Sequence, residues 1–209
     1  MQPQIIFIDW DGTLSTSRFW GHWADSPELA PHYAAIQRVF FESSPENLEN
    51  WMRGRLTADM VVRFVATKTG IPGPVLLEGL FRSCELTRLH DPEVMTYIAE
   101  LRRRGVKVAI ATDNMDVFVR WTVPALNLRA HFDDILDSHS LRALKRDIDQ
   151  AGRSPFFTAY LEGTQIPASQ ALLIDDGAHN SVVGAIGMSF KQVTAETSLR
   201  DILSDLLHE

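Results

Sequence analysis

The 209 residues suffice for one ordinary domain with room for an inserted subdomain, and a composition of 45% hydrophobic and 22% charged residues excludes a disordered or fibrous chain. The net charge of −7 argues against nucleic acid as a partner, and no apolar run approaches the length of a membrane span. A small anionic ligand stays compatible with that total, because a metal ion and a lysine can reverse the field inside a cleft. The single cysteine, Cys84, allows no internal disulfide and no zinc site of its own. The N-terminus runs straight into an apolar segment without the basic-then-apolar pattern of a leader, so a cytoplasmic protein is expected.

The first element is Ile5-Ile6-Phe7-Ile8, four large apolar residues that read as a fully buried strand. It stops at Asp9-Trp10-Asp11-Gly12-Thr13. Side chains alternate along a strand, so Asp9 and Asp11 leave its end on the same side. Two acids so placed repel each other, and a cation between them removes the penalty. In an open α/β sheet the carboxyl ends of strands are also where ligands bind. The opening thirteen residues therefore suggest a divalent-metal carboxylate site.

From residue 15 to 89 the pattern is helical throughout. Residues 29–41, 45–52, 58–69 and 74–84 read as helices separated by Ser, Gly and Pro signals, with Thr57 an expected N-cap and Gly70 an expected stop. A helix over 92–104 follows. A strand over 106–111 then ends at Thr112-Asp113, a helix covers 116–126, and a weaker strand covers 132–136. A helix over 156–162 precedes a strand over 171–174 that ends at Asp175-Asp176, and a helix over 179–186 follows. Alternation of strand and helix predicts a doubly wound parallel sheet. Residues 1–14 and 90–209 form this core, and residues 15–89 are expected to be a small all-helical cap inserted after the first strand.

In this order the motifs resemble the haloacid dehalogenase (HAD) superfamily of phosphatases and related hydrolases. Asp9-Trp10-Asp11-Gly12-Thr13 is similar to its first motif, Ile110-Ala111-Thr112-Asp113-Asn114 to its second, and Leu172-Leu173-Ile174-Asp175-Asp176 with Asn180 to its fourth. The resemblance implies a Rossmann-like core and an Mg²⁺-dependent phosphatase acting on a small phosphorylated metabolite. It gives Asp9 the role of nucleophile and Asp11 that of general acid and base. Thr112 would donate its hydroxyl to a phosphate oxygen, helped by the amides of Asp113 and Asn114, with Gly12 and Thr13 beside the phosphate. Asp113 itself would point away or meet the rest of the substrate. Asp9, the backbone carbonyl of Asp11, and Asp175 or Asp176 would hold the ion, with Asn180 orienting its waters or Asp176.

The third motif departs from the family. Lys145 is followed by Arg146 and Asp147 where the family has proline, and Arg153-Ser154-Pro155 resembles the stretch that normally follows the lysine at once. Lys145 is the first choice and Arg153 its rival. Trp20, His22 and Trp23 either line a substrate pocket or pack the helical segment on the core, and His179 is at most accessory. A phosphomutase remains an alternative, and so does a catalytically silent binding protein on the same fold. A dehalogenase fits poorly, since that branch usually lacks an acid at the position of Asp11. Substrate identity and oligomeric state have no signature in the sequence.

Overall fold

Residues Ile5–Ile8 form β1, and every one of them is buried, because the strand is hydrogen-bonded on both edges and covered on both faces. Full burial of each such side chain stabilises by about 1.5–3 kcal/mol. The computed structural model describes residues 2–208. The other strands are β2 (Lys107–Thr112), β3 (Asp134–Asp137), β4 (Ala171–Asp175) and β5 (Ser189–Gln192). All pairings are parallel, in the order β3-β2-β1-β4-β5. Ile8 pairs level with Ile110 on one side and Ile174 on the other, so the residues after β1, β2 and β4 emerge side by side.

Between β1 and the next strand lie α1 (Ala30–Ile36), α2 (Pro45–Met52), α3 (Ala58–Thr69) and α4 (Gly73–Glu85). A π-helical stretch, Gln37–Glu42, extends α1. In α3 the buried residues Ala58, Val61, Val62 and Val65 recur at helical spacing and define its inner face. The helix ends at Gly70, whose φ of 75° is the left-handed conformation glycine adopts without strain. Thr57 stands at its start, but the Thr57 side chain makes no capping bond. Asp116, from the sheet side, accepts from the Ala58 amide at 3.2 Å and from Trp51 Nε1 at 2.7 Å. These helices enclose a core of their own that includes Trp20, Phe40, Trp51 and Leu80, into which Met115 and Val117 reach from the segment after β2. The two chain segments leading in and out are stitched together: Ser15 Oγ donates to the Arg88 carbonyl at 2.7 Å, and the His90 amide to the Leu14 carbonyl at 2.9 Å.

The rest of the chain supplies α5 (Val94–Arg103), α6 (Val123–Ala125), α7 (Leu128–His131), α8 (Ser138–Leu141), α9 (Thr158–Thr164), α10 (Asn180–Ala185) and α11 (Leu199–His208). A second π-helical stretch, Phe118–Thr122, leads into α6. The pleat sorts the sheet's side chains. Ile6, Ile8, Val108, Ile110 and Ile174 share a core with α5 and α11, whereas Ile5, Phe7, Ala109 and Leu173 pack against Phe156, Phe157 and Val183. Helices thus cover both faces, as the sequence pattern predicts.

Two elements lie outside that pattern. β5 is an edge strand with exposed ends and one large apolar residue, Phe190, so its alternation is too weak to stand out. The C-terminal α11 has a clear signal in Leu199, Ile202, Leu203 and Leu206, all buried at helical spacing. The third strand sits two residues later than expected at its start, because Phe132 belongs to the end of α7 and packs into the core.

Candidate active site

The sheet order reverses between β1 and β4, and an open α/β sheet leaves a crevice at such a point, outside the carboxyl ends of its strands. Asp9 follows β1 and Asp175 ends β4, so both carboxylates project there. Lys145, from the loop after α8, joins them: its Nζ donates to Asp9 Oδ1 at 2.6 Å and to Asp175 Oδ2 at 2.5 Å. All three side chains are at least 95% buried. Burial raises the Asp9 carboxyl well above the ordinary carboxylate range, as does Asp175, while the Lys145 ammonium opposes the rise. Burial alone would lower the Lys145 ammonium. The carboxylates of Asp9, Asp175 and Asp113 outweigh it and keep the lysine charged.

Asp176 completes an acidic group. Carboxylate oxygens of Asp9, Asp175 and Asp176 lie within 4.8 Å of one another. An all-oxygen set of this size suits a hard divalent cation such as Mg²⁺. Within it the two neighbours differ. Asp175 is committed: besides Lys145 it accepts from the Gly177 amide at 2.7 Å, with His179 Nε2 at 3.6 Å. Asp176 is exposed to the cleft, its amide anchored on Thr13 Oγ1 at 3.1 Å and its carbonyl on Gln192 Nε2 at 2.9 Å. Gly12 has φ +87°, and a Cβ there would stand 2.1 Å from Asp176 Oδ2. The glycine therefore gives the carboxylate its place beside the first motif.

Thr112, at the end of β2, is fully buried, and its Oγ1 has no hydrogen-bond partner among the described residues. An orphan hydroxyl costs stability unless a ligand uses it, and an incoming oxyanion is such a ligand. The neighbouring amide is not available in the way the sequence suggests. The Asn114 N–H donates to Ser138 Oγ at 2.9 Å, and Asn114 Oδ1 accepts from the Met115 amide at 2.9 Å. Ser138, which sequence reasoning missed, also donates toward the Met52 carbonyl at 2.8 Å, linking the sheet to α2. Asp113 turns to the lysine loop, where Oδ1 accepts the Lys145 amide at 3.0 Å.

The irregular spacing after Lys145 has a local explanation. The extra residues close on themselves: Asp149 Oδ1 accepts from the Ala151 and Arg153 amides at 2.8 and 2.9 Å, and the Asp149 amide donates to the Arg153 carbonyl at 2.8 Å. The excess chain forms an outward turn, and Lys145 keeps its place. Arg153 lies on that turn, exposed and facing Asp149 at 3.5 Å, away from the acidic group.

Asp11 is half exposed and forms an ion pair with Arg18, a partner that sequence reasoning also missed. Desolvation raises its carboxyl, against the pull of Arg18. Asp11 and Asp113 stand on the wall of a cavity of about 350 Å³ between the sheet and the helical segment. Trp20 and Trp23 are buried in the helical core instead. Trp20 Nε1 donates to the Leu76 carbonyl at 2.8 Å, and Trp23 lies where a Cβ on Gly79 would be. Asn180 is exposed, with Oδ1 on the Ser181 amide at 2.9 Å.

Acids at the ends of the first and fourth strands, a hydroxyl at the end of the second and a buried lysine thus stand at the carboxyl end of the sheet. Residues 6–160 match the family model of haloacid dehalogenase-like hydrolases, and the chain belongs to that family. No curated protein matches the sequence. Among solved structures the chain is similar to an HAD family enzyme from Bacteroides thetaiotaomicron in complex with magnesium and inorganic phosphate (TM-score 0.68, 13% identity, 95% of this chain and 98% of that one). It is also similar to L-2-haloacid dehalogenase from Xanthobacter autotrophicus (TM-score 0.65, 16% identity, 99% and 83%) and to a predicted HAD-like family hydrolase from Porphyromonas gingivalis (TM-score 0.68, 14% identity, all of both chains). At these identities the likeness is one of fold. Among the described residues no helix is long and apolar enough to cross a membrane.

Proposed function

We propose that this hydrolase is an Mg²⁺-dependent phosphatase of a small phosphorylated metabolite, with the helical segment 15–89 serving as a cap over the site. The observation that carries the reading is the convergence of the Asp9, Asp175 and Asp176 carboxylates within 4.8 Å of one another, two of them held by the buried Lys145. Asp9, the Asp11 carbonyl and Asp176 would hold the ion, which when bound supplies positive charge beside the transferring phosphoryl oxygens. Asp175, already committed to Lys145 and the Gly177 amide, orients the group instead.

Asp9 attacks phosphorus and forms an aspartyl-phosphate as the bond to the leaving oxygen breaks. Asp11, held by Arg18, gives that oxygen its proton, then takes a proton from the water that hydrolyses the intermediate. Lys145 neutralises Asp9 and the phosphoryl oxygens together, and Thr112 donates its unpartnered hydroxyl to one of them. Asp11 also supports phosphate release over halide release, since carbon–halogen cleavage requires no proton for its leaving group. The test is phosphate release from 4-nitrophenyl phosphate with Mg²⁺. Asp9→Asn should abolish it with the fold intact, and EDTA should stop the wild type. Turnover persisting in Asp9→Asn removes Asp9 as the nucleophile.

A further inference from the structure

The leaving group must lie next to Asp11, because the residue that protonates the leaving oxygen has to stand within hydrogen-bond reach of it. Next to Asp11 is the 350 Å³ cavity, a size suited to a small organic group. Its apolar wall includes Trp10, Phe19, Phe41, Leu48, Met52 and Phe118, drawn from both the sheet and the helical segment, with Gln37 and Asn114 among the polar residues between them. Trp10 and Phe118 pack with ring centroids 5.3 Å apart, which fixes the sheet side of the wall. Among the polar side chains of the wall, two hydroxyls are turned to their own backbone. Ser83 Oγ donates to the Leu80 carbonyl at 2.6 Å and Thr87 Oγ1 to the Ser83 carbonyl at 3.0 Å, so neither hydroxyl proton is left for a ligand. Arg18, the cationic residue of the wall, is engaged by Asp11.

A second feature points to the same place. Both π-helical stretches among the described residues border this cavity: Gln37 and Phe41 come from one, Phe118 and Thr122 from the other. A π-turn shifts the side chains that follow it around the helix axis, and such turns are frequent at functional sites. Here each turn directs an aromatic ring at the cavity.

We infer that the substrate is the phosphate monoester of an apolar alcohol of about the size of an aromatic ring, and that sugar and glycerol phosphates are poor substrates. A polyol would press hydroxyls against Phe19, Phe41, Leu48 and Met52, which offer them no partner, whereas an apolar group gains by leaving water there. The inference rests on the phosphatase reading above and adds the chemistry of the leaving group.

The test compares 2-phenylethyl phosphate with glycerol 1-phosphate, two primary alkyl esters of similar intrinsic reactivity. Burying the phenyl group predicts kcat/KM at least about tenfold higher for the first. Leu48→Ser should lower kcat/KM for the phenylethyl ester about tenfold, mainly through KM, and affect glycerol 1-phosphate much less, with an unchanged circular dichroism spectrum showing that the variant is folded. Titration with 2-phenylethylphosphonate and methylphosphonate reads the same preference without turnover. Equal or faster cleavage of glycerol 1-phosphate, or a Leu48→Ser effect that is alike for both esters, overturns the inference and leaves the phosphatase reading standing. Phosphate release from neither ester overturns that reading and the inference with it.

Discussion

Arg53 and Asp147, from opposite sides of the cleft, meet in a two-point ion pair, with Nη1 to Oδ2 at 2.5 Å and Nη2 to Oδ1 at 2.9 Å. Arg53 follows α2 in the helical segment, while Asp147 lies two residues after Lys145 and also accepts the Leu144 amide at 2.9 Å. Glu49 steadies the arginine from behind at 2.8 Å and reaches Arg146 on the same loop at 2.5 Å. The helical segment therefore braces the loop that presents the buried lysine.

Asp147→Asn should accordingly lower both stability and turnover. Loss of a part-buried, charge-assisted pair costs about 1–2 kcal/mol at pH 7. A looser Lys145 should reduce kcat about tenfold, because misplacing a positioned group raises the barrier. The hydrogen bond from Arg53 holds the Asp147 carboxyl below its ordinary value. The unfolded chain therefore binds the proton first as pH falls. The contribution is fully present above the unfolded value of about 3.9 and is lost as pH drops through the folded value. Urea midpoints of wild type and variant at pH 7, 5 and 3.5 check this. The gap should be constant between the first two and shrink at the last. A gap that widens in acid reverses the assigned sign.

Gly12→Ala tests the place of Asp176. The left-handed φ alone costs about 1 kcal/mol for a residue with a Cβ. The new methyl would also stand 2.1 Å from Asp176 Oδ2, so the carboxylate must swing away. The expected result is Mg²⁺ affinity weaker by at least about tenfold, with phosphate release reduced in parallel. Calorimetric titration with Mg²⁺ reads the first and a phosphate assay the second. Unchanged affinity would take Asp176 out of the ligand set.

What the sequence makes legible is the part of this site built from local pattern. β1, β2 and β4 announce themselves as apolar runs that stop at Asp9, Thr112 and Asp175, and α2 and α3 stand at the residues their periodicity indicates. The rest depends on contacts between distant residues. Whether the Asn114 amide is free is decided by Ser138, 24 residues later. Whether Lys145 reaches Asp9 is decided by a turn at 149–153 that absorbs the extra chain, and by Asp113, which catches the Lys145 amide. Arg18 reaches Asp11 because the bend at 10–15 folds back through the Gly12 amide to the Ser15 carbonyl at 2.8 Å. At the start of α3, where the Thr57 side chain makes no capping bond, the Ala58 amide is held by Asp116, 58 residues away.

Thr112 separates a binding role from a structural one by the sign of two measurements on one variant. Its hydroxyl is buried without a partner, so the folded protein bears a desolvation cost with no hydrogen bond to offset it. Thr112→Val keeps the volume and the β-branched shape of a strand residue and removes only that group. Stability should stay level or rise by up to about 1 kcal/mol. Affinity for inorganic phosphate should fall, and kcat/KM for a phosphate ester should drop about 10–100-fold, as when a donor to a developing oxyanion is lost. Thr112→Ser, which retains the hydroxyl, should recover most of the rate. A fall in stability in Thr112→Val with phosphate affinity unchanged would make the hydroxyl a part of the fold and remove it from the phosphate site.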